Sequence, residues 1–229
     1  MPDYNAVVTS AIERDGAAPP TTEQRLVAAA ERLFAERGID AVSLRAVMTE
    51  AGTNVASVHY HFGSKDALIS AVVRRRSEAV ASRRAALLDA MESAGDPTPR
   101  GLAEAFVLPV WELACGEGAS WVKFIAGILA GGHQALALVS EGFTDQAVRF
   151  TSLMGRIDPD LPRPTVRFRL AQAMTLTFHA LGDLHSTRDL VALSGVDITP
   201  EQAKAELIDV VTAILTGPPD SPRSERKAP

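Results

Sequence analysis

The sequence predicts an all-α fold: a small three-helix head, one long connecting helix and a larger helical body. Three observations carry this prediction. Apolar residues recur at helical spacing between Thr21 and Thr216. No stretch alternates apolar and polar residues convincingly, as a half-buried strand would. The periodic stretches are bounded by Ser, Thr or Asn at their starts and by Gly or Pro at their ends. A chain of 229 residues is long enough for one or two cores.

The elements follow in order. Residues 1–20 end in GAAPP, lack a long helical period and read as a flexible tail. Thr21 with Gln24 makes a capping-box pattern. Leu26, Ala30, Leu33, Phe34 and Arg37 follow at helical spacing, and Gly38 stops the helix. Ser43 caps a short second helix with Leu44, Val47, Met48 and Ala51 as its apolar positions, ended by Gly52. Asn54 caps a third, with Val55, Val58 and Phe62 facing inward and Gly63 ending it. Ser64 caps a much longer fourth helix, running to about Met91. Asp66 lies in its first turn, where the helix dipole favours an anion, and Leu68, Ile69, Val72 and Val73 give it an apolar side.

SAGDPTPRG, residues 93–101, is the clearest break. Candidate helices follow at 101–115, 119–139, 142–155, 165–187 and 199–216, punctuated by DPDLPRP and SGVDITP. The stretch from Gly217, GPPDSPRSERKAP, reads as a second tail. The expected organisation is a tail (1–20), a head (21–66), a helical body (67–216) and a tail (217–229).

Composition narrows the function class. With 46% hydrophobic and 22% charged residues the chain is of globular type. One cysteine, Cys115, excludes an internal disulfide framework and a multi-cysteine zinc site, and fits a reducing cytoplasm. The first residues lack the basic start and apolar run of a signal peptide. The most apolar stretch, 121–139, holds Lys123, a Gly pair, His133 and Gln134, which favours a buried helix over a membrane span. The net charge of -5 is unevenly spread: residues 21–80 hold 8 Lys/Arg against 7 Asp/Glu, and residues 81–216 hold 11 against 16. Local placement, not total charge, therefore decides whether nucleic acid is a partner.

NVASVHYHFGSKDAL, residues 54–68, is the densest polar and aromatic segment. His59 and His61 are two apart on a helix, about 200° around its axis, so they cannot chelate one metal ion. Two short helices joined by AGTN have the layout of a helix-turn-helix, whose second helix enters the major groove. Ala56 and Ser57 are small enough to let that helix approach the groove floor. His59 and Tyr60 can donate to phosphates, and Lys65 adds a charge beside a helix N-terminus.

Residues 24–69 resemble the DNA-binding head of the TetR family of bacterial transcriptional regulators, most specifically in AERLFAERG and YHFGSKDAL. The resemblance implies a homodimer with two such heads, a pseudo-palindromic double-stranded DNA operator, no cofactor, and repression relieved by a small molecule bound in the body. By resemblance, Ser43 caps the second helix and touches phosphate, and Arg45 reaches a base. Asn54, Val55, Ala56 and Ser57 fall at the start of the recognition helix and in the groove. His59, Tyr60 and His61 occupy the aromatic cluster that contacts backbone and packs the turn; His61 is open between the two roles. Lys65 matches the phosphate-binding lysine. His59 stands where Tyr is more frequent and Val55 where a polar residue is common, which shifts base readout toward Arg45 and Ser57. The AGTNVASVHYHFGSK variant resembles a subgroup responsive to fatty acids and acyl-CoA.

In the body, Phe106, Trp111, Trp121, Phe124, Ile128, Phe143, Phe150, Met174, Phe178 and His179 are the candidate lining of an effector pocket, although each taken singly also suits a core. Leu170, Leu181, Leu207, Val211 and Ile214 are the candidate dimer interface on the last two helices, which form a four-helix bundle in the family. His179 and Asp183, four apart, read as a hydrogen-bonded pair within a helix interface. The arginine run 74–76 reads as a solvated face. Gly127, Gly131 and Gly132 each cost about 1 kcal/mol in a helix relative to Ala, which close packing or a bend beside a cavity would offset. On that reading Gly131→Ala would lower effector affinity without altering DNA affinity.

Two rival functions are weaker. A helical enzyme needs a nucleophile or metal cluster, and no GxSxG, P-loop or GxGxxG stands in a suitable context. A non-specific architectural DNA binder depends on phosphate neutralisation, which an acidic body and weakly basic head supply poorly.

Overall fold

The computed structural model describes residues 19–54, 60–131 and 133–218, and every regular element among them is a helix. Helix α1 (Thr22–Arg37) opens on the expected capping box: Thr21 accepts from the Gln24 N–H, and the Gln24 side chain accepts from the Thr21 N–H. It stops at Gly38, whose φ of 78° suits glycine. Ser43 Oγ accepts from Ala46 N and starts α2 (Leu44–Glu50). Residues 55–59 of the expected third helix lie outside the described residues; Tyr60 and His61 are helical. Ser64 caps α3 (Lys65–Ala94), whose 30 residues span about 45 Å.

The body begins where Thr98 caps α4 (Pro99–Ala114), with Pro99 in the first turn, where its missing N–H costs nothing. It continues with α5 (Ala119–Gly131), α6 (Leu136–Ile157), α7 (Arg163–Gly182), α8 (Leu184–Ala192) and α9 (Pro200–Thr216). Two of the expected helices divide differently. The 119–139 stretch ends as a helix at Gly131; His133 Nδ1 then accepts from Ala135 N, and α6 starts afresh, absorbing the expected 142–155 helix. The 165–187 stretch ends at Gly182. Asp183 leaves helical geometry (φ -142°, ψ 63°), and its carboxylate accepts from the N–H and the hydroxyl of Ser186, capping α8. The expected His179–Asp183 pair is therefore not made. Asp183 spends its oxygens on a cap, which holds its carboxyl below the usual aspartate value, while His179 is exposed.

Head and body share one continuous core. Leu26, Leu33 and Phe34 of α1, Val47 and Met48 of α2, and Leu68, Ile69 and Val72 of α3 join directly to Trp121, Phe124 and Ile125 of α5. Helix α5 lies between α1 on one side and α7 on the other. The Phe34 and Phe124 rings stack across the junction with centroids 5.7 Å apart. The α5–α7 contact is tight at Gly182: a Cβ there would meet the Ala126 Cβ at 2.7 Å. Gly127 and Gly131 have open space where a side chain would stand, so close packing does not account for them, and Gly132 is outside the described residues.

Candidate nucleic-acid interface and interior cavity

The described part of the head presents its candidate contacts on the surface. Ser43, Arg45, Asn54, Tyr60 and His61 are all exposed. Tyr60 is 86% exposed although it is a large aromatic residue. Its ring meets His61 edge to face at 5.1 Å. A phenol left in water at a helix end suits a donor aimed at a backbone phosphate better than a core residue. Lys65 is placed differently from a free surface cation. Its Nζ donates to Ile39 O at 2.6 Å and ties the start of α3 to the turn after α1. Val55, Ala56, Ser57 and His59 lie outside the described residues.

The head is locked to the long helix by charge as well as by packing. Glu31 of α1 is buried, and its carboxylate accepts from Arg75 at 3.2 Å with Arg76 at 3.8 Å. Burial raises the Glu31 carboxyl above 4.5, while Arg75, Arg76 and Arg32 pull it down. Arg76 also donates to Glu117 O at 2.8 Å, just before α5. The arginine run is therefore not only a solvated face: Arg74 and Arg75 are exposed and Arg76 is half-buried, and Arg75 and Arg76 pair with Glu31 at the joint of head and long helix.

Nineteen positions along α3 from Lys65, Arg84 forms part of the wall of a cavity of about 230 Å³. The cavity lies among α3, α4, α6 and α7, and Phe106, Phe143, Phe150, Leu170 and Met174 give it apolar walls. Ser140, Thr144, Arg167 and Ala171 are its exposed lining residues. Arg84 is 1% exposed. It donates to Gln146 Oε1 at 3.0 Å and to Phe106 O at 3.2 Å, and its Nε–H is buried without a partner. Its guanidinium lies over the Phe106 ring at 4.6 Å and the Phe143 ring at 4.9 Å. Burial pushes it down to about 9, so it is charged at neutral pH. Among the described residues no carboxylate pairs with it.

The expected pocket residues thus separate. Phe106, Phe143, Phe150 and Met174 meet around the cavity. Trp121, Phe124, Ile128 and Phe178 are buried in the core. Trp111 lines a different cavity, of about 210 Å³, beside α8. Among the residues not foreseen, Arg84, Gln146 and Arg167, the first had a legible signal. Ser77, Val80, Arg84 and Leu88 share one buried stripe of α3, so an arginine stands at a core position of the helical period.

The expected dimer residues Leu170, Leu181, Leu207 and Val211 are buried inside this one chain, and Ile214 is half-buried against the same core. They fasten α7 and α9 to one another and to α4. The large apolar side chains left exposed on α7 and α9 are Phe168 and Val210.

Comparison with known proteins agrees with this layout. Residues 26–72 match the model of bacterial regulatory proteins of the tetR family. Residues 104–213 match the tetracyclin repressor-like C-terminal domain. Over 72 residues the chain is 36% identical to the HTH-type transcriptional regulator BetI of Rhizobium meliloti (strain 1021); the match spans 29% of this chain and 36% of that protein. The fold is similar to that of the ketosteroid transcriptional regulator KstR2 of Mycobacterium tuberculosis (TM-score 0.59, 18% identity, 86% of this chain and 95% of that one). It is also similar to SCO4454, a TetR-family transcriptional regulator from Streptomyces coelicolor (TM-score 0.58, 18% identity, 85% and 94%).

Proposed function

We propose that this chain, which belongs to the TetR family of bacterial regulatory proteins, acts as a dimeric repressor that leaves its operator when a small molecule enters the α3–α4–α6–α7 cavity. One observation carries the reading: a single helix, α3, is fastened to the head at one end and supplies Arg84 to the cavity wall further along. A ligand that moves Arg84 moves the element on which the head stands. A second route runs beside it. Phe143 meets Phe178 edge to face at 6.2 Å, and Phe178 meets Trp121 at 6.0 Å. The Trp121 indole N–H donates to the carbonyls of Val72 and Val73 on α3. Two heads on a pseudo-palindrome must match half-sites about 34–36 Å apart, so a small tilt of α3 in each subunit weakens simultaneous contact. The ligand can shift DNA affinity only by as much as it prefers the DNA-incompetent state.

Dimer contact is assigned to the outer faces of α7 and α9, where Phe168 and Val210 stand exposed, with the buried leucines behind them supporting the surface. Sedimentation should give twice the chain mass of 24.3 kDa. Phe168→Glu with Val210→Glu should give a folded monomer; a variant that stays dimeric would remove this assignment. In the head, Arg45, Tyr60 and Ser43 are assigned to DNA together with Asn54, Val55, Ala56, Ser57, His59 and His61. Arg45→Ala should cost about 1–3 kcal/mol and relax specificity at one position of the half-site. Lys65→Ala should also lower head stability, because its ammonium holds Ile39 O.

The deciding experiment is selection of bound sequences from a random duplex pool at physiological salt. Enrichment of a palindromic motif is expected. Enrichment of nothing, with binding that depends on salt alone, would support the architectural reading instead.

A further inference from the structure

We infer that the effector is a compact carboxylic acid whose carboxylate pairs with Arg84 and whose apolar body lies against Phe106, Phe143, Phe150, Leu170 and Met174. The inference rests on the reading of this cavity as the effector site and adds the chemistry of the ligand.

The reasoning begins with desolvation. A guanidinium removed from water loses its hydration, and proteins normally return that loss with a carboxylate or a full set of acceptors. Glu31 shows this chain doing so for the opposite charge at the head joint, with two arginines on one carboxylate. Arg84 receives one amide oxygen, one backbone carbonyl and two ring faces. Its Nε–H has nothing. A purely structural residue at this position of the stripe would be served by Leu or Met, as Val80 and Leu88 serve on either side. The missing partner is an anion; Arg84 closes one wall of the cavity at 1% exposure, so the anion reaches its guanidinium from the cavity by displacing the Gln146 amide.

The cavity limits the rest of the molecule. A volume of about 230 Å³ lies below the roughly 300–1,000 Å³ of sites for drug-sized ligands. Phe106, Phe143, Phe150, Leu170 and Met174 form the inner walls, with Ser140, Thr144 and Arg167 at the exposed rim, so the part of the ligand held deepest beside Arg84 is apolar. The whole of an acyl-CoA does not fit this interior. A ring or a short chain carrying one carboxylate does. Such a ligand engages α3 directly, so the charge that gives affinity also acts on the helix that bears the head.

The test compares acids with uncharged isosteres of equal shape. Benzoate, cyclohexanecarboxylate and hexanoate are titrated calorimetrically into the full-length protein at pH 7, beside benzamide, cyclohexanecarboxamide and hexanamide, with inorganic phosphate as a further arm. At least one acid should bind about 10- to 100-fold more tightly than its amide, the value of a charge-assisted hydrogen bond in a dry site. Arg84→Met should abolish that preference, leaving acid and amide equal, and Arg84→Lys should restore part of it. Gln146→Leu provides a second variant that keeps the charge, frees an N–H of Arg84 and should raise the preference. Equal affinity of acid and amide for the wild-type protein would overturn the inference, as would failure of every acid to bind. Phosphate binding as tightly as the acids would overturn it too, since the apolar walls would then contribute nothing. Binding to the duplex enriched by selection is followed in parallel. Acids that bind through Arg84 without releasing DNA would leave the carboxylate assignment of the cavity standing and remove the reading of its ligand as an effector. Release by amides as readily as by acids would do the reverse.

Discussion

Each half of the molecule buries a charge, and the two are treated oppositely. At the head joint, Glu31 is enclosed between α1 and α3 and answered by Arg75 and Arg76. In the body, Arg84 is enclosed more completely and answered by no carboxylate among the described residues. In the first arrangement opposite charges meet, although Arg76 Nε lies 3.8 Å from the Glu31 carboxylate without a hydrogen bond, and the pairs connect α1 to α3. The second is open, and that openness beside a cavity is what the ligand proposal rests on. Burial alone therefore does not separate a structural charge from a functional one; the state of its partner does.

The comparison can be broken in several ways. The largest effect is expected from Arg75→Ala with Arg76→Ala, which leaves the Glu31 carboxylate buried and unanswered. Urea unfolding should show a loss on the order of 3 kcal/mol, and no loss would mean that the joint is held by packing alone. Gly182→Ala should cost about 1–3 kcal/mol despite the better helix propensity of alanine, because the new Cβ has the backbone-fixed Ala126 Cβ at 2.7 Å. A gain in melting temperature would show that α5 and α7 have room to separate. Arg84→Met should go the other way and stabilise the ligand-free protein by about 1 kcal/mol or more, since an unanswered buried charge is replaced by an apolar side chain of similar length. A large loss would make Arg84 a structural residue.

The smallest effect concerns pH. The folded protein holds the Glu31 proton to higher pH than the unfolded chain does, since burial raises its carboxyl above 4.5. Native chains thus bind more protons than unfolded ones across the window just above 4.5, and this group's contribution to stability declines as pH rises through it. In Glu31→Gln that decline should be absent from a series of unfolding curves. An unchanged pH profile would show that the arginines fully offset the burial.

The sequence by itself determined what local physics controls. The capping box at Thr21 and Gln24, the stop at Gly38, the caps at Ser43 and Ser64 and the length of the connecting helix all follow from interactions within four residues, and all stand in the structure. The helix-turn-helix layout and the resemblance of the head rest on the same compact stretch, and a family model matches the body as well. The helices of the body were legible from their residues only as periodicity. Expected helices ran through the turn at 133–135 and through Asp183 because apolar spacing continues across both, and the competing hydrogen bonds of His133 and Asp183 are not visible in a hydrophobic period. Which aromatic residues line a cavity and which fill the core depended on how four helices cross. Residues 84, 106, 143 and 170 are neighbours only because tertiary packing brings them together. The same is true of charge: the sequence shows an arginine on a buried stripe, but only the folded chain decides whether a carboxylate reaches it, as Glu31 reaches Arg75, or whether the place beside it is left for a ligand.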